Sequence, residues 1–251
     1  MIIDRPRPED IPHLRHLWQQ AFGDTDTFLD SFFAIGFSLD HCRCLWKEGT
    51  LAAALYWFDC SWEEKPVAYL YAVATEEKYR GRGLCRALME DTHSHLQAQG
   101  YVASVLVPGT KELFRLYEKM GYSTFGYVQE FFCEAGKTLI QLEKLTAEDY
   151  AQRRRKWLPQ GAILQEGAML ALWQTQGDFY AGEDFLLAAA MAKDTLITQE
   201  FLGDAEKAPQ ILAALGAKQG RFRLPGENPF AMHYPLSEGE FAPTYFGIAL
   251  D

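Results

Sequence analysis

The sequence predicts an α/β protein with a mixed sheet, laid out as two successive α/β halves. The apolar run Tyr69–Ala74 is followed by the glycine-containing turn Tyr79–Cys85 and then by a helical pattern, which is a strand–turn–helix junction. Short apolar runs alternate with helical segments downstream, as expected when crossover helices join neighbouring strands. A similar order of segments recurs after about 117–120 residues.

The N-terminal elements follow from local signals. Residues 1–5 predict a strand, and a helix is expected from Pro8 because proline and acidic residues favour the first turn. Its apolar stripe is Leu14, Leu17, Trp18, Ala21 and Phe22. Either Asp24 or Thr25 would cap a second helix. Strands are expected at about 41–47, 51–60 and 66–75, and a turn is expected at Lys47–Thr50.

The junction leads into three further elements. A helix over 82–99 would end at the glycine C-cap Gly100. A strand over 102–107 is closed by Pro108-Gly109, and a helix over 110–120 and a strand near 122–134 follow.

The turn between strand and helix indicates anion binding. Gly81 and Gly83 let several backbone N–H groups point to one place, and the helix N-terminus adds partial positive charge. Arg80 and Arg82 supply full charges, so the turn predicts a diphosphate site. It lacks the Walker pattern, and it lacks the third glycine of a dinucleotide fingerprint. An ordinary basic surface turn is the alternative.

Two motifs resemble the GNAT acetyltransferase superfamily. In that family, Arg/Gln-x-x-Gly-x-Gly/Ala after a strand holds the pyrophosphate of acetyl-CoA, and Arg80, Gly83 and Cys85 match these positions. Cys85 departs from Gly/Ala. The later Leu-Tyr-Glu-Lys-x-Gly-Phe/Tyr segment matches Leu116–Tyr122, about 30 residues on. The family's frequent asparagine seven residues before the tyrosine is Thr110 here, a second departure.

The resemblance implies a GNAT fold, acetyl-CoA as co-substrate and a set of site residues. Tyr117 would protonate the leaving thiolate, since a phenol's reference pKa of about 10 is near a thiol's of about 8.5. A strand N–H at a β-bulge would stabilise the oxyanion. The implied coenzyme-binding residues are Val73, Ala74, Thr75, Arg80, Gly81, Arg82, Gly83, Leu84, Cys85 and Thr110. A packed helix aromatic is the alternative for Tyr117.

The second half echoes the first without its phosphate loop. Asp194–Asp204 predicts a strand and a turn, Ala208–Leu215 a helix, and Gly220–Gly226 a strand closed by Pro-Gly. We therefore expect a catalytic domain over 1–135 and a degenerate GNAT-like domain over 136–251. This is similar to the first two domains of the enhanced intracellular survival acetyltransferases. An unrelated α+β accessory domain is the alternative. The basic run 153–156 is expected at a helix start as a solvated face, with an anionic contact as the minor option.

Composition narrows the function class. No apolar run reaches the roughly 20 residues of a membrane span, and the N-terminus shows neither a signal peptide nor a lipidation signal. The odd number of five cysteines is expected of a reduced, cytoplasmic protein. His41-Cys42-Arg43-Cys44 has no second ligand cluster, which disfavours metal. A net charge of −10 argues against nucleic acid and would attract a cationic amine.

Several roles stay open at this level. Glu76, Glu77 and Asp59 are weak candidates for a general base, as is Asp251 at the end of an expected apolar strand, Tyr245–Leu250. His93 and His95 read as surface or cap residues. The aromatic residues of the first helices are expected in the core, with a pocket as the alternative. Acceptor and oligomeric state are undetermined, a homo-oligomer included. The function is either N-acetyl transfer to an amine or non-catalytic acyl-CoA binding in regulation.

Overall fold

A computed structural model describes residues 1–250, which fold as two compact units with thirteen strands and seven α-helices. The first unit contains Met1–Leu106, Thr110–Ser123 and His233–Phe241. The second contains the remaining described residues. The units therefore exchange segments: a piece of the C-terminal half lies in the first unit, and residues 124–134 lie in the second.

The first unit is built on a mixed sheet in the order β1-β2-β3-β4-β5. The pairs from β1 to β4 are antiparallel, and β5 is parallel to β4 because α3 crosses between them. The strands are β1 (Ile2–Asp4), β2 (Cys42–Lys47), β3 (Thr50–Trp62), β4 (Lys65–Thr75) and β5 (Ala103–Leu106). The helices are α1 (Ile11–Phe22), α2 (Asp26–Ser31), α3 (Leu84–Ala98) and α4 (Lys111–Glu118).

Local signals account for the ends of these elements. The turn between β2 and β3 places Glu48 at φ 53° and Gly49 at φ 77°, the left-handed pair that a tight hairpin requires. Thr25, not Asp24, caps α2, since its Oγ1 accepts from the Phe28 amide at 3.2 Å. The Asp24 carboxylate instead accepts from Trp18 Nε1 at 2.7 Å.

The aromatic residues of α1 and the following segment form the core on one face of this sheet. Trp18 and Phe32 are buried, with ring centroids 4.5 Å apart, and Trp18 lies 5.1 Å from Tyr56 on β3. Phe22, at the end of α1, is the exception with 47% exposure. Core packing, as expected from the sequence, therefore describes the centre of this cluster.

One irregularity in β4 shapes the site. The register of β3 against β4 shifts between Ala54 and Tyr56, and Ala72 on β4 takes φ 49°, which makes a β-bulge. The parallel pairing of β4 with β5 covers only Val67–Tyr69 against Ala103–Val105. Beyond Tyr69, the C-terminal part of β4 is therefore not paired with β5 as the strand approaches the glycine turn.

The second unit contains a mixed sheet in the order β6-β12-β11-β10-β9-β7. The chain passes into the first unit within β13, between Met232 and His233. Its strands are β6 (Ser123–Glu134), β7 (Glu143–Leu145), β8 (Leu164–Gln165), β9 (Asp178–Ala181), β10 (Phe185–Ala192), β11 (Thr195–Gly203), β12 (Gln219–Pro225) and β13 (Asn228–Pro235). Its helices are α5 (Ala147–Arg154), α6 (Ala168–Trp173) and α7 (Ala208–Leu215).

The unit β11–α7–β12 repeats the arrangement of β4–α3–β5. β11 and β12 are parallel, α7 crosses between them, and Gly216 ends α7 at φ 72°. The connection from β11 to α7 is a single 3-10 turn, Ala205–Lys207, without arginine or a Gly-x-Gly sequence. The expected helix and strands are present, and the mixed α/β fold class is confirmed.

Two expectations for this half are wrong. The basic run lies at the end of a helix and not at its start, since α5 ends at Arg154. Arg155 and Lys156 are exposed, as expected of a solvated face. The Arg154 guanidinium is buried in an ion pair with Glu200 at 2.6 Å, which is the anionic contact of the minor option. Residues 245–250 are buried but form no strand. The chain end packs through irregular backbone, and Asp251 lies outside the described residues.

Among residues 1–250, none of the helices combines the length and the apolar character that a membrane span needs.

Candidate active site

The turn before α3 has the geometry that anion binding requires. Gly81 and Gly83 adopt φ 71° and 76°, left-handed values that suit glycine, and Gly83 is the N-cap of α3. Helix geometry leaves the first-turn amides, those of Leu84, Cys85 and Arg86, without intrahelical acceptors. The loop and the start of α3 therefore present successive N–H groups and the positive end of a four-turn helix.

Several positively charged side chains lie around this loop. The Nε of Arg80 donates to the Thr75 carbonyl at 3.0 Å, which holds the guanidinium against the end of β4. Arg82 lies over the Tyr79 ring at 5.8 Å, and Lys78 and Lys47 lie 5.0 and 5.7 Å from it. Sequence reasoning missed Lys47 and Tyr79. Lys78 and Tyr79 adjoin the motif, but Lys47 comes from β2 and carries no local signal.

The end of β4 supplies the three predicted backbone positions. Ala74 and Thr75 pair with Ala54 and Ala53 on β3, directly after the bulge at Ala72. Val73 and Thr75 are half-buried. Since β5 pairs with β4 only up to Tyr69, the backbone of Val73–Thr75 takes no part in the β4–β5 ladder.

Tyr117 is buried on α4, with 7% of its surface exposed. Burial raises the pKa of its phenol, and the nearby Cys85 thiol raises it further, so the hydroxyl stays protonated at neutral pH. Burial likewise raises the pKa of Cys85. The Cys85 thiol, at the start of α3, is thus close enough to the predicted acid to affect the pKa of its phenol.

Thr110 is the N-cap of α4. Its hydroxyl accepts from the Leu113 amide at 3.3 Å, so this side chain is engaged in holding the helix start.

The base candidates have partners of their own. Glu76 binds Lys78 through Oε1 at 2.8 Å, and Asp59 accepts from the Tyr101 hydroxyl at 2.5 Å. Glu77 lies exposed in the short turn after β4. Of the three carboxylates, Glu76 differs in that its second oxygen, Oε2, is buried without a hydrogen-bond partner within residues 1–250.

His93 is not a surface or cap residue, contrary to the sequence-based expectation. It is 8% exposed on the inner face of α3, where Nε2 lies 2.8 Å from the Tyr122 hydroxyl and 3.2 Å from Ser104 Oγ. Burial lowers the pKa of its imidazole to about 4. His95, two residues on, is half-buried against Trp57.

This buried imidazole makes stability depend on pH. The unfolded chain protonates His93 near pH 6.5, whereas the folded chain does so only near the lowered pKa of about 4. The unfolded state therefore binds more protons in between, and stability should fall by up to about 3 kcal/mol as pH drops from about 6.5 to 4. Urea unfolding of the natural protein and of His93→Gln across this pH range measures the effect. The free energy of unfolding should fall less steeply with decreasing pH in the variant. Parallel curves would contradict the assignment.

The cysteines form no metal site within the described chain. Cys42 and Cys44 are buried with sulfurs 3.8 Å apart, and no cluster of three His, Cys, Asp or Glu residues occurs in residues 1–250.

Comparison with known proteins matches residues 3–125 to the family model of the acetyltransferase (GNAT) domain. No curated protein matches the chain in sequence. Several solved structures share its fold. A GCN5-related N-acetyltransferase from Kribbella flavida is 17% identical with a TM-score of 0.70, over 93% of this chain and 70% of that one.

Two further structures show the same likeness. A GCN5-related N-acetyltransferase from Anabaena variabilis is 16% identical with a TM-score of 0.72, over 94% of this chain and 73% of that one. Eis1 from Mycobacterium abscessus is 11% identical with a TM-score of 0.64, over 91% of this chain and 66% of that one. The shared fold thus extends over both halves of the chain.

Proposed function

Because the chain is a GNAT-family acyltransferase similar in fold to tandem GNAT proteins, we propose that it transfers the acetyl group of acetyl-CoA to a primary amine by direct attack in a ternary complex. The observation that carries this proposal is the convergence of three features in the first unit. They are the cationic glycine turn at the start of α3, the bulged end of β4 and the buried phenol of Tyr117.

The coenzyme's diphosphate fits the turn. The amides of Gly81–Cys85 and the positive end of α3 would bind its oxygens, with Arg80 and Arg82 adding charge. The acyl-bearing arm would then extend along β4 at Val73–Thr75. In this proposal the thioester would lie between the β4 backbone and Tyr117.

The residues then divide the chemistry. A neutral amine attacks the thioester carbonyl, and a β4 amide stabilises the oxyanion. Collapse of the tetrahedral intermediate breaks the carbon–sulfur bond, and the sulfur takes the proton of the Tyr117 hydroxyl. The nitrogen that attacked loses one proton to water. The Tyr117 phenolate then regains a proton from solvent, which restores the phenol. The carboxylates of Glu76, Glu77 and Asp59 remain candidates for assisting that deprotonation.

A thiol-release assay tests the reaction. Purified protein, acetyl-CoA and a panel of primary amines should yield free CoA thiol and the matching acetamide by mass spectrometry. Binding of CoA by calorimetry without thiol release for any amine would instead support a non-catalytic acyl-CoA-binding regulator.

The phosphate loop gives a separate prediction. Arg80→Ala and Arg82→Ala should each weaken CoA binding by about tenfold, since a solvent-exposed charge-assisted hydrogen bond contributes about 1–1.5 kcal/mol. The loss should shrink at high salt. Calorimetry with Arg115→Ala, an exposed arginine on α4, serves as the charge-matched control. Unchanged affinity in both loop variants would rule out this diphosphate site.

The remaining assignments belong to the same proposal. The chain would consist of a catalytic domain, 1–135, and a degenerate domain, 136–251, which have exchanged segments in the folded protein. The odd number of five cysteines supports a reduced, cytoplasmic setting. The net charge of −10 supports a cationic amine acceptor.

A further inference from the structure

A closed triangle of polar groups lies behind the proposed acid. The His93 Nε2 atom contacts both the Tyr122 hydroxyl and Ser104 Oγ. The third side is the contact between Ser104 Oγ and the Tyr122 hydroxyl, which are 2.9 Å apart. His93 belongs to α3, Ser104 to β5, and Tyr122 follows α4. All three side chains are buried. Such a network fixes the positions of three elements at once, because each buried polar group requires its partners.

The triangle is connected to Tyr117 through the backbone and the rings. The Tyr122 amide donates to the Tyr117 carbonyl at 3.0 Å, and the two ring centroids are 5.6 Å apart. Any shift of Tyr122 would therefore move the end of α4 that carries Tyr117.

A fourth residue that contacts this triangle, Tyr234, comes from the C-terminal half of the sequence. Tyr234 stacks on the His93 imidazole, with centroids 4.2 Å apart and planes inclined by 11°, and it lies 5.5 Å from Tyr122. Its ring also closes the space over Gly121, where a β-carbon would be 3.0 Å from the Tyr234 ring. Gly121 has φ 95°, so both space and conformation require glycine there.

The segment around Tyr234 is anchored within the first unit. The Leu236 amide donates to the Val102 carbonyl at 2.8 Å, just before β5, and Phe241 packs on Trp62 at 5.0 Å. Residues 233–241 are therefore an integral part of the unit that carries the acetyltransferase site.

We propose that Tyr234 is a positioning residue for catalysis: by stacking on His93 it keeps the His93–Ser104–Tyr122 triangle dry and closed, and so holds Tyr117 in its reactive orientation. This rests on the proposed function of Tyr117. It gives the C-terminal half a direct part in the reaction.

Groups from three other segments face the His93 imidazole. They are Ser104 from β5, Tyr122 from the end of α4 and Tyr234 from the C-terminal segment, and burial is the cause of the lowered pKa of His93. Removing the Tyr234 ring would admit water to the imidazole. Its pKa should then rise towards the ordinary value of about 6.5.

Three variants at one position test the proposal. Tyr234→Phe keeps the stack and should behave as the natural protein. Tyr234→Leu keeps an apolar cover without the stack, and Tyr234→Ala opens the site. We expect kcat to fall about tenfold in Tyr234→Ala and less in Tyr234→Leu, with KM for acetyl-CoA within about twofold, because misplacement of the acid affects the chemical step.

Two readouts separate positioning from general destabilisation. The His93 C2–H resonance, followed by NMR against pH, should titrate at higher pH in Tyr234→Ala, and kcat should gain an acidic limb at the same pH. Should Tyr234→Ala fail to fold, Tyr234→Leu and Tyr122→Phe carry the test, and the latter should lower kcat about fivefold at unchanged KM.

The outcomes distinguish this inference from the proposed function. An unchanged His93 titration and kcat in Tyr234→Ala or Tyr234→Leu, with Tyr122→Phe also at full kcat, overturns it even if Tyr117→Phe is impaired. If Tyr117→Phe is fully active, the acid assignment fails instead, whatever the Tyr234 variants do to the His93 resonance.

Discussion

Tyr117→Phe is expected to lower kcat by about 10²-fold, because general acid catalysis by a positioned side chain contributes about 10²–10⁴-fold. The substitution removes a single oxygen from a ring that is 7% exposed, so packing is largely retained. The Kd for CoA should change less than about twofold, and kcat and kcat/KM should fall together. Steady-state thiol release and calorimetry measure both quantities.

The raised pKa of the Tyr117 phenol sets the pH behaviour of this acid. Burial raises the pKa of the Tyr117 phenol, with a smaller contribution from Cys85. The phenol therefore carries its proton throughout the range in which a thiolate needs one, and no alkaline loss of kcat below about pH 10 should arise from it. A phenol ionising near neutrality could not act as an acid there.

Tyr127→Phe is the matched control. Tyr127 lies on β6 with 41% exposure, so its variant loses the same atom at a position away from the proposed chemistry. It should retain full kcat. Full activity in Tyr117→Phe as well would show that the thiolate leaves without this acid.

Local signals allowed much of the fold to be predicted. The helix Ala208–Leu215 was bounded correctly because Pro209 favours its first turn and Gly216 its left-handed end. The loop before α3 was predictable for a similar reason, since Gly81 and Gly83 are needed where φ is positive. Information of this kind lies within a few residues of each position.

Burial of polar groups was not predictable from neighbouring residues. His93 lies in Glu90-Asp91-Thr92-His93-Ser94-His95, which resembles a solvated helix face, yet its partners Ser104, Tyr122 and Tyr234 come from three other segments. The exchange of residues 233–241 into the first unit depends on pairing over more than 100 residues. No local pattern encodes such a partner.

Arg154 shows how little separates a core residue from a surface residue. Arg153, Arg154 and Arg155 are identical in type and consecutive, and the buried Arg154 lies four residues after the buried Tyr150, on the same helix face. That spacing was the one available signal.

Breaking the Arg154–Glu200 pair should be the largest stability effect in the second unit. The Glu200 carboxylate accepts two bonds from Arg154, at 2.6 and 2.8 Å, and one from the Tyr150 hydroxyl at 2.7 Å. Arg154→Met or Glu200→Gln leaves a buried charge without its counterion. Each should destabilise the protein by about 3–5 kcal/mol in urea unfolding.

The pair also holds the chain end. Tyr245 hydrogen-bonds to Glu200. The side-chain oxygen of Gln165 accepts from Arg154 and from the Ile248 amide, and its side-chain nitrogen donates to the Ile248 carbonyl. A side chain at Gly247 would collide with the Glu200 carboxylate. Loss of the pair should therefore expose residues 245–250 first, which limited proteolysis at the C-terminus can follow.

The neighbouring Arg155 provides a control, which shows whether burial or charge alone determines the loss of stability. Arg155 makes an equally short ion pair with Glu166, at 2.6 Å, but its side chain is 57% exposed. Because water screens that pair, Arg155→Met should cost less than about 1 kcal/mol. The double variant Arg154→Met/Glu200→Gln should lose less than its two single variants combined, since neither charge is then stranded. Equal losses at Arg154 and Arg155 would mean that burial does not determine the strength of this interaction.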